Sequence, residues 1–177
     1  MSEWPESPLK CLSMKYLLAS SILLIHINTF SQAKFGDRCL GTWAGTMYMY
    51  NQGSLHDSVR VELQVAASGK PDEWIWRTEY LSATRPMVKD YVLRLHDEAK
   101  GHYVIDEGDG IMLHDYLVGN KLYSLFETQE VYLTSSYELR SNQLIFEVTS
   151  GRKLPDETVG VRNFSVANVQ RVVLTRQ

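Results

Sequence analysis

From Gly41 onward the chain is a succession of short stretches rich in Val, Leu, Ile, Tyr, Trp and Thr, separated by turn formers. Residues of this kind suit a pleated, half-buried surface, so each stretch predicts a β-strand. The strands are expected at Trp43 to Tyr50, Ser58 to Ala66, Glu73 to Tyr80, Met87 to His96, His102 to Asp106, Ile111 to Val118, Lys121 to Glu127, Val131 to Leu139, Gln143 to Thr149 and Ser165 to Thr175. Between them stand breakers such as Asn51-Gln52-Gly53, Asp109-Gly110, Gly119-Asn120 and Ser141-Asn142. Asp109-Gly110 and Gly119-Asn120 suit tight hairpins whose residues need positive φ. This spacing leaves no room for crossover helices, so the sheet must be largely antiparallel. A meander of this many strands has two edges to hide, and closing it into an up-and-down barrel removes both. The expected class is therefore all-β, a barrel of about 8–10 strands; a two-sheet sandwich is the alternative.

Alternation divides each strand into two faces but does not say which is inside. Trp43, Gly45, Met47 and Met49 oppose Thr46, Tyr48 and Tyr50. Trp74, Trp76, Thr78 and Tyr80 oppose Ile75, Arg77, Glu79 and Leu81. Neither face is wholly polar, which fits a lumen of mixed character holding a ligand or ordered water.

The front of the chain has a different character. Met14-Lys15-Tyr16 precedes an apolar run from Leu17 to Ile27, followed by Asn28-Thr29 and Ser31-Gln32-Ala33. A basic start, a short apolar stretch and a small-x-small end are the layout of a secretory signal peptide helix. The run is too short to span a bilayer, which needs about 20 apolar residues. Cleavage is expected after Ala33, giving a leader over 1–33 and one barrel domain over 34–177 that begins at Lys34. Glu3 and Glu6 do not suit a basic n-region, so the true start is expected at Met14. The location implied is secreted or periplasmic, with no stable membrane insertion after cleavage.

Of the two cysteines, Cys11 and Cys39, only Cys39 outlasts that cut, so no internal disulfide can form and Cys39 is expected to pack near the barrel base. The net charge is -3, and the leader removes two basic residues (Lys10, Lys15) and two acidic ones (Glu3, Glu6), leaving it unchanged. No basic stripe marks a nucleic-acid surface. Nothing in the sequence fixes the oligomeric state.

Gly41-Thr42-Trp43, opening the first strand shortly after the expected new N-terminus, resembles the start of lipocalin and wider calycin barrels, of the divergent bacterial lipocalin-like kind. In those families the tryptophan packs across the closed end of the barrel under a basic residue from the last strand. The resemblance places Arg171 in that role. It covers most of the mature chain as architecture and two short spots as motif. The family's Thr-Asp-Tyr-like corner is not matched; Lys89-Asp90-Tyr91 comes closest and lies early. No clear helix separates the last two strands, where Gly151 to Asn163 carries Pro155. Membership implies binding of a small hydrophobic molecule.

Five residues are candidates for contact with a ligand: Arg77, Tyr91, His114, Asp115 and Tyr137. Asp115 stands mid-strand between Leu113 and Leu117, and buried charge must be paired. One arrangement sets Asp115 and Arg77 in a lumen cluster that orients a head group; the other leaves them on the outer face. Tyr91 and Tyr137 belong to a large tyrosine complement that combines apolar area with a hydrogen-bonding tip. His114, with Met112 and Tyr116 on its face, is the best-placed histidine for an axial haem ligand, against the plainer reading of a surface histidine. No histidine pair has zinc-site spacing or company, and no metal or cofactor is expected. Asp106-Glu107-Gly108-Asp109-Gly110 lacks the length and closing glutamate of a calcium loop and reads as a hairpin turn. Neither a Gly-x-Ser-x-Gly elbow nor a phosphate loop occurs.

The leading expectation is an exported, non-catalytic barrel that binds a small hydrophobic or amphipathic molecule. An envelope interaction module would instead show an exposed apolar patch along Trp74 to Tyr80. A barrel enzyme would need Arg77, His114 and Asp115 to point inward together.

Overall fold

A computed structural model describes residues 33–153 and 164–177. A single short helix, α1 (Phe35–Cys39), precedes ten strands among these residues: β1 (Gly41–Asn51), β2 (Ser54–Ala67), β3 (Glu73–Leu81), β4 (Met87–Asp97), β5 (His102–Gly108), β6 (Ile111–Val118), β7 (Lys121–Thr128), β8 (Val131–Arg140), β9 (Gln143–Arg152) and β10 (Asn168–Arg176). Each strand pairs antiparallel with its sequence neighbours, and β1 pairs with both β2 and β10. The sheet thus closes into an up-and-down meander barrel with no free edge. Residues 1–32 and 154–163 lie outside the described residues, and with them the expected start at Met14, all of the leader but Ala33, and most of the loop before β10.

The hairpins follow from local backbone chemistry. Asp109 and Gly110 both adopt positive φ (53° and 84°), the pairing that a two-residue turn of the correct twist requires. Asp106 caps the same turn by accepting from the Gly108 amide at 2.9 Å and from Arg94 at 2.7 Å, so the acidic cluster there is a turn.

Closure settles which face is inside. Trp43, Met47, Val61, Leu63, Val65, Trp74, Trp76, Leu93, Tyr103, Ile105, Leu122, Leu144, Val172 and Leu174 are all buried and form one core with Phe35 and Cys39. The indoles of β3 therefore point inward, and its outer face carries Ile75, Arg77 and Glu79. An exposed apolar patch built on Trp74 and Trp76 does not exist.

Helix α1 seals one end. Phe35 packs between Trp76 and Tyr103, with ring centroids 6.3 Å from each, and its amide donates to the Tyr103 hydroxyl at 3.0 Å. Gly36 sits so close beneath Trp74 that a Cβ there would run into the indole ring. The Trp74 indole donates to Asp37 at 2.8 Å, and that of Trp43 donates to the Cys39 carbonyl at 2.7 Å. Cys39 is a free thiol, fully buried, and burial pushes its pKa up to about 12, so it is an inert packing residue.

The cation over Trp43 is Arg176, with its guanidinium carbon 4.2 Å from the ring centroid, and this corrects the expectation for Arg171. Alternation gives the reason. Val172 and Leu174 face inward, so Arg176 continues that side at the strand's end, in register with Trp43. Arg171 has the opposite parity, stands opposite Tyr48 and pairs on the outside with Glu147 at 3.3 Å. Arg176 also donates to the Leu40 and Arg38 carbonyls, tying β10 to the end of α1. Gly41 adopts a φ of 126° and lies against the Arg176 guanidinium, so the signature glycine meets both a backbone and a space requirement.

Candidate functional site

With the base closed by α1 and the three buried tryptophans, empty space remains in the other half of the lumen. A cavity of about 720 Å³ lies there. It is walled by inward residues of β3 to β10, chiefly Ile105, Leu113, Phe126, Leu133, Phe146 and Val148. Its rim is formed where β4 begins and the β5–β6 hairpin turns, at Met87, Ile111 and Met112. Volume and lining are those of a site for a small organic molecule, whose pockets run from about 300 to 1,000 Å³.

Polar groups are interspersed in this lining. Lys89, Glu107, Glu127 and Gln170 are among them, with Thr78 opposite Lys89 and Tyr80 opposite the rim residue Met87. Ser135, Tyr91 and Tyr137 complete the set. Burial, and secondarily the negative charge of Glu107, pushes the Tyr80 and Tyr91 hydroxyls up, and Tyr91 also donates to Glu107. The Tyr137 hydroxyl is raised well above its ordinary value, again chiefly by burial. Its ring stacks on Phe146 at 4.4 Å and meets Trp76 edge-on at 5.1 Å. All three hydroxyls are therefore neutral at physiological pH, able to donate or accept toward a bound molecule. The Lys89 ammonium lies over the Tyr91 ring at 5.9 Å.

Of the five candidate residues, Tyr91 and Tyr137 line this cavity. Asp115 faces the lumen just beneath it, next below Leu113 on the inner side of β6. The carboxyl is fully buried, neither oxygen has a hydrogen-bond partner, and burial pushes its pKa up to about 7.

Arg77 and His114 are corrected to the outer face. Arg77 alternates with the inward Trp76 and Thr78 and pairs outside with Glu79 at 2.9 Å and Asp90 at 2.6 Å. His114 alternates with Leu113 and Asp115. On the outer surface its Nδ1 lies 2.8 Å from Nε2 of His102, whose ring stacks on Tyr116 and meets His96 at 4.7 Å. Burial and the neighbouring His96 and His114 hold His102 below the usual histidine range. His114 therefore offers no axial ligand to the lumen, and Arg77, His114 and Asp115 do not converge.

Lys89, Glu107, Phe126 and Phe146 were not among the sequence candidates. Their signal is parity, readable once closure fixes the inner face: each falls on the same side of its strand as a core residue, Lys89 with Leu93, Glu107 with Ile105, Phe126 with Leu122, Phe146 with Leu144.

No protein-family model matches the chain, and no curated protein does. Solved structures do. The S-type phycobiliprotein lyase CPES from Guillardia theta aligns over 81% of this chain and 90% of its own, at 8% identity and a TM-score of 0.58. Rv2717c from M. tuberculosis aligns over 78% of this chain and 92% of its own, at 19% identity and a TM-score of 0.50. A mutant of the fluorescent protein UnaG aligns over 79% and 96%, at 14% identity and a TM-score of 0.46. What this chain shares with the first two is architecture, and its own fold is a closed, ten-stranded antiparallel barrel.

Proposed function

We propose that this protein carries a small amphipathic molecule in the open half of its barrel, and that it does so outside the cytoplasm after losing its leader. The observation that supports binding is the cavity of about 720 Å³, with apolar side chains, neutral tyrosine hydroxyls and a few charged groups along its walls. A barrel meant only as a scaffold would be expected to fill this space with side chains, as the base is filled here. Apolar walls supply affinity through burial and the tyrosines supply orientation. The scaffold agrees with this reading, since the phycobiliprotein lyase of Guillardia theta is built on a comparable barrel.

Native mass spectrometry of protein purified from its own compartment is expected to show a mass excess that organic extraction removes. A bare polypeptide mass, together with failure to bind an uncharged fluorophore such as N-phenyl-1-naphthylamine, would count against a carrier. Export rests on the Met14-to-Ala33 pattern. N-terminal sequencing of the protein from the extracytoplasmic fraction is expected to begin at Lys34, and recovery of the uncut chain from the cytoplasm would remove that part.

A further inference from the structure

Asp115 is the one fully buried carboxyl among the described residues, and the protein's own donors point away from it. Tyr103, opposite it in register on β5, directs its hydroxyl to the Phe35 amide in α1. Ser124 on β7 donates instead to the His114 carbonyl at 3.1 Å. Tyr137, on β8, lines the cavity and makes no hydrogen bond to Asp115. No charged side chain contributes to the environment of Asp115; burial alone raises its pKa. Both oxygens are left without a partner.

A buried, unpartnered carboxylate is costly, and a donor can recover that cost. Here the orphaned group lies one side-chain layer below a preformed cavity, between the cavity-lining Leu113 above and the sealed base below. The partner it lacks must come through that cavity. A protonated nitrogen suits the position better than a hydroxyl. It offers a charge-assisted bond, and the stacked rings of Tyr137 and Phe146 give the cavity wall an aromatic surface beside it. Glu107 and Glu127 outnumber Lys89 in the lining, so the cavity also favours positive charge.

Building on the carrier reading, we propose that the ligand is an amphipathic amine, an apolar body with one protonated nitrogen, which enters nitrogen first and pairs its N–H with Asp115.

Decylamine, 1-decanol and decanoate separate the chemistry, each titrated at pH 8 against N-phenyl-1-naphthylamine bound to the wild-type protein and to Asp115→Asn. A charge-assisted bond predicts that decylamine binds about tenfold or more tighter than decanol. Asp115→Asn should abolish that preference while leaving decanol within about threefold of wild type, which also shows that the variant's lumen is intact. A preference for decylamine that survives Asp115→Asn, or its absence in the wild type while decanol binds, overturns the amine assignment and leaves the carrier reading standing. If the fluorophore and all three chains fail to bind, both readings fall.

Discussion

At the scale of single residues, burial sets the behaviour of Asp115 and makes it testable through pH. Its carboxyl is raised from 3.8 to about 7, so the folded protein holds this proton more tightly than the unfolded chain does. Between those values the folded state is protonated and the unfolded state is not. Stability therefore falls as pH rises through this window, by about 1.4 kcal/mol per unit, and the full penalty, on the order of 4 kcal/mol, is present above it. Asp115→Asn cannot ionise. In urea titrations it should match wild type within about 1 kcal/mol near pH 4 and exceed it by a few kcal/mol at pH 8. Parallel curves for the two proteins would mean that the carboxylate has found a partner. At the base, Trp43→Ala should cost about 3–5 kcal/mol, since a fully buried indole leaves a cavity behind. Arg176→Ala should cost about 1–3 kcal/mol through the lost cation–π contact and two carbonyl bonds, while Arg171→Ala, with its exposed pair, should change stability by less than about 0.5 kcal/mol. Equal losses from the two arginines would contradict the arrangement over Trp43.

At the scale of elements, what the sequence made legible depended on periodicity. Each of the ten expected strands is present, several a residue or more longer than drawn and the last beginning at Asn168 rather than Ser165, because period-two alternation and residues such as Asp109-Gly110 mark the body of a strand and most of its ends. The facing of the strands was legible only in part. On β3 the inner side reads Trp-Trp-Thr-Tyr and the outer Ile-Arg-Glu-Leu, so both mix polar and apolar groups. Only closure of the whole ring decides between them, and it sends Arg77 out. Arg176 could have been found by counting, since it shares parity with Val172 and Leu174 where Arg171 does not. Helix α1 had no such signal: five residues are too few to show a helical period, and what holds them is tertiary packing under Trp74, Trp76 and Tyr103. That packing is tight at Gly36. Gly36→Val should therefore push α1 off the base and cost about 1–3 kcal/mol or more, with a change in tryptophan fluorescence as Trp74 moves. Wild-type stability and an unchanged spectrum would show that α1 does not plug the barrel.

At the scale of the molecule, the barrel is divided into a packed half and an open half. Near α1 the inward Trp43, Trp74 and Trp76 fill the ring together with Phe35 of the helix. Toward the other end small residues such as Thr78, Ser135 and Val148 stand among tyrosines and phenylalanines that line the wall and leave the middle open. The candidate site was legible as far as Tyr91, Tyr137 and Asp115 because each stands on a strand face that turned out to be internal. The cavity itself was not, since empty volume depends on how ten strands close and no single strand records it. The division predicts that function and stability separate. Ser135→Trp places an indole among Tyr137, Phe146 and the open volume above them, and should weaken binding of N-phenyl-1-naphthylamine by about tenfold or more while changing the urea midpoint little, because it occupies space rather than displacing packed atoms. Ile75→Trp, on the outer face of β3, where Ile75 is exposed, should leave both unchanged and serves as the control. If Ser135→Trp instead unfolds the protein, the upper lumen is packed, and if it binds the fluorophore as wild type does, the fluorophore sits outside the barrel.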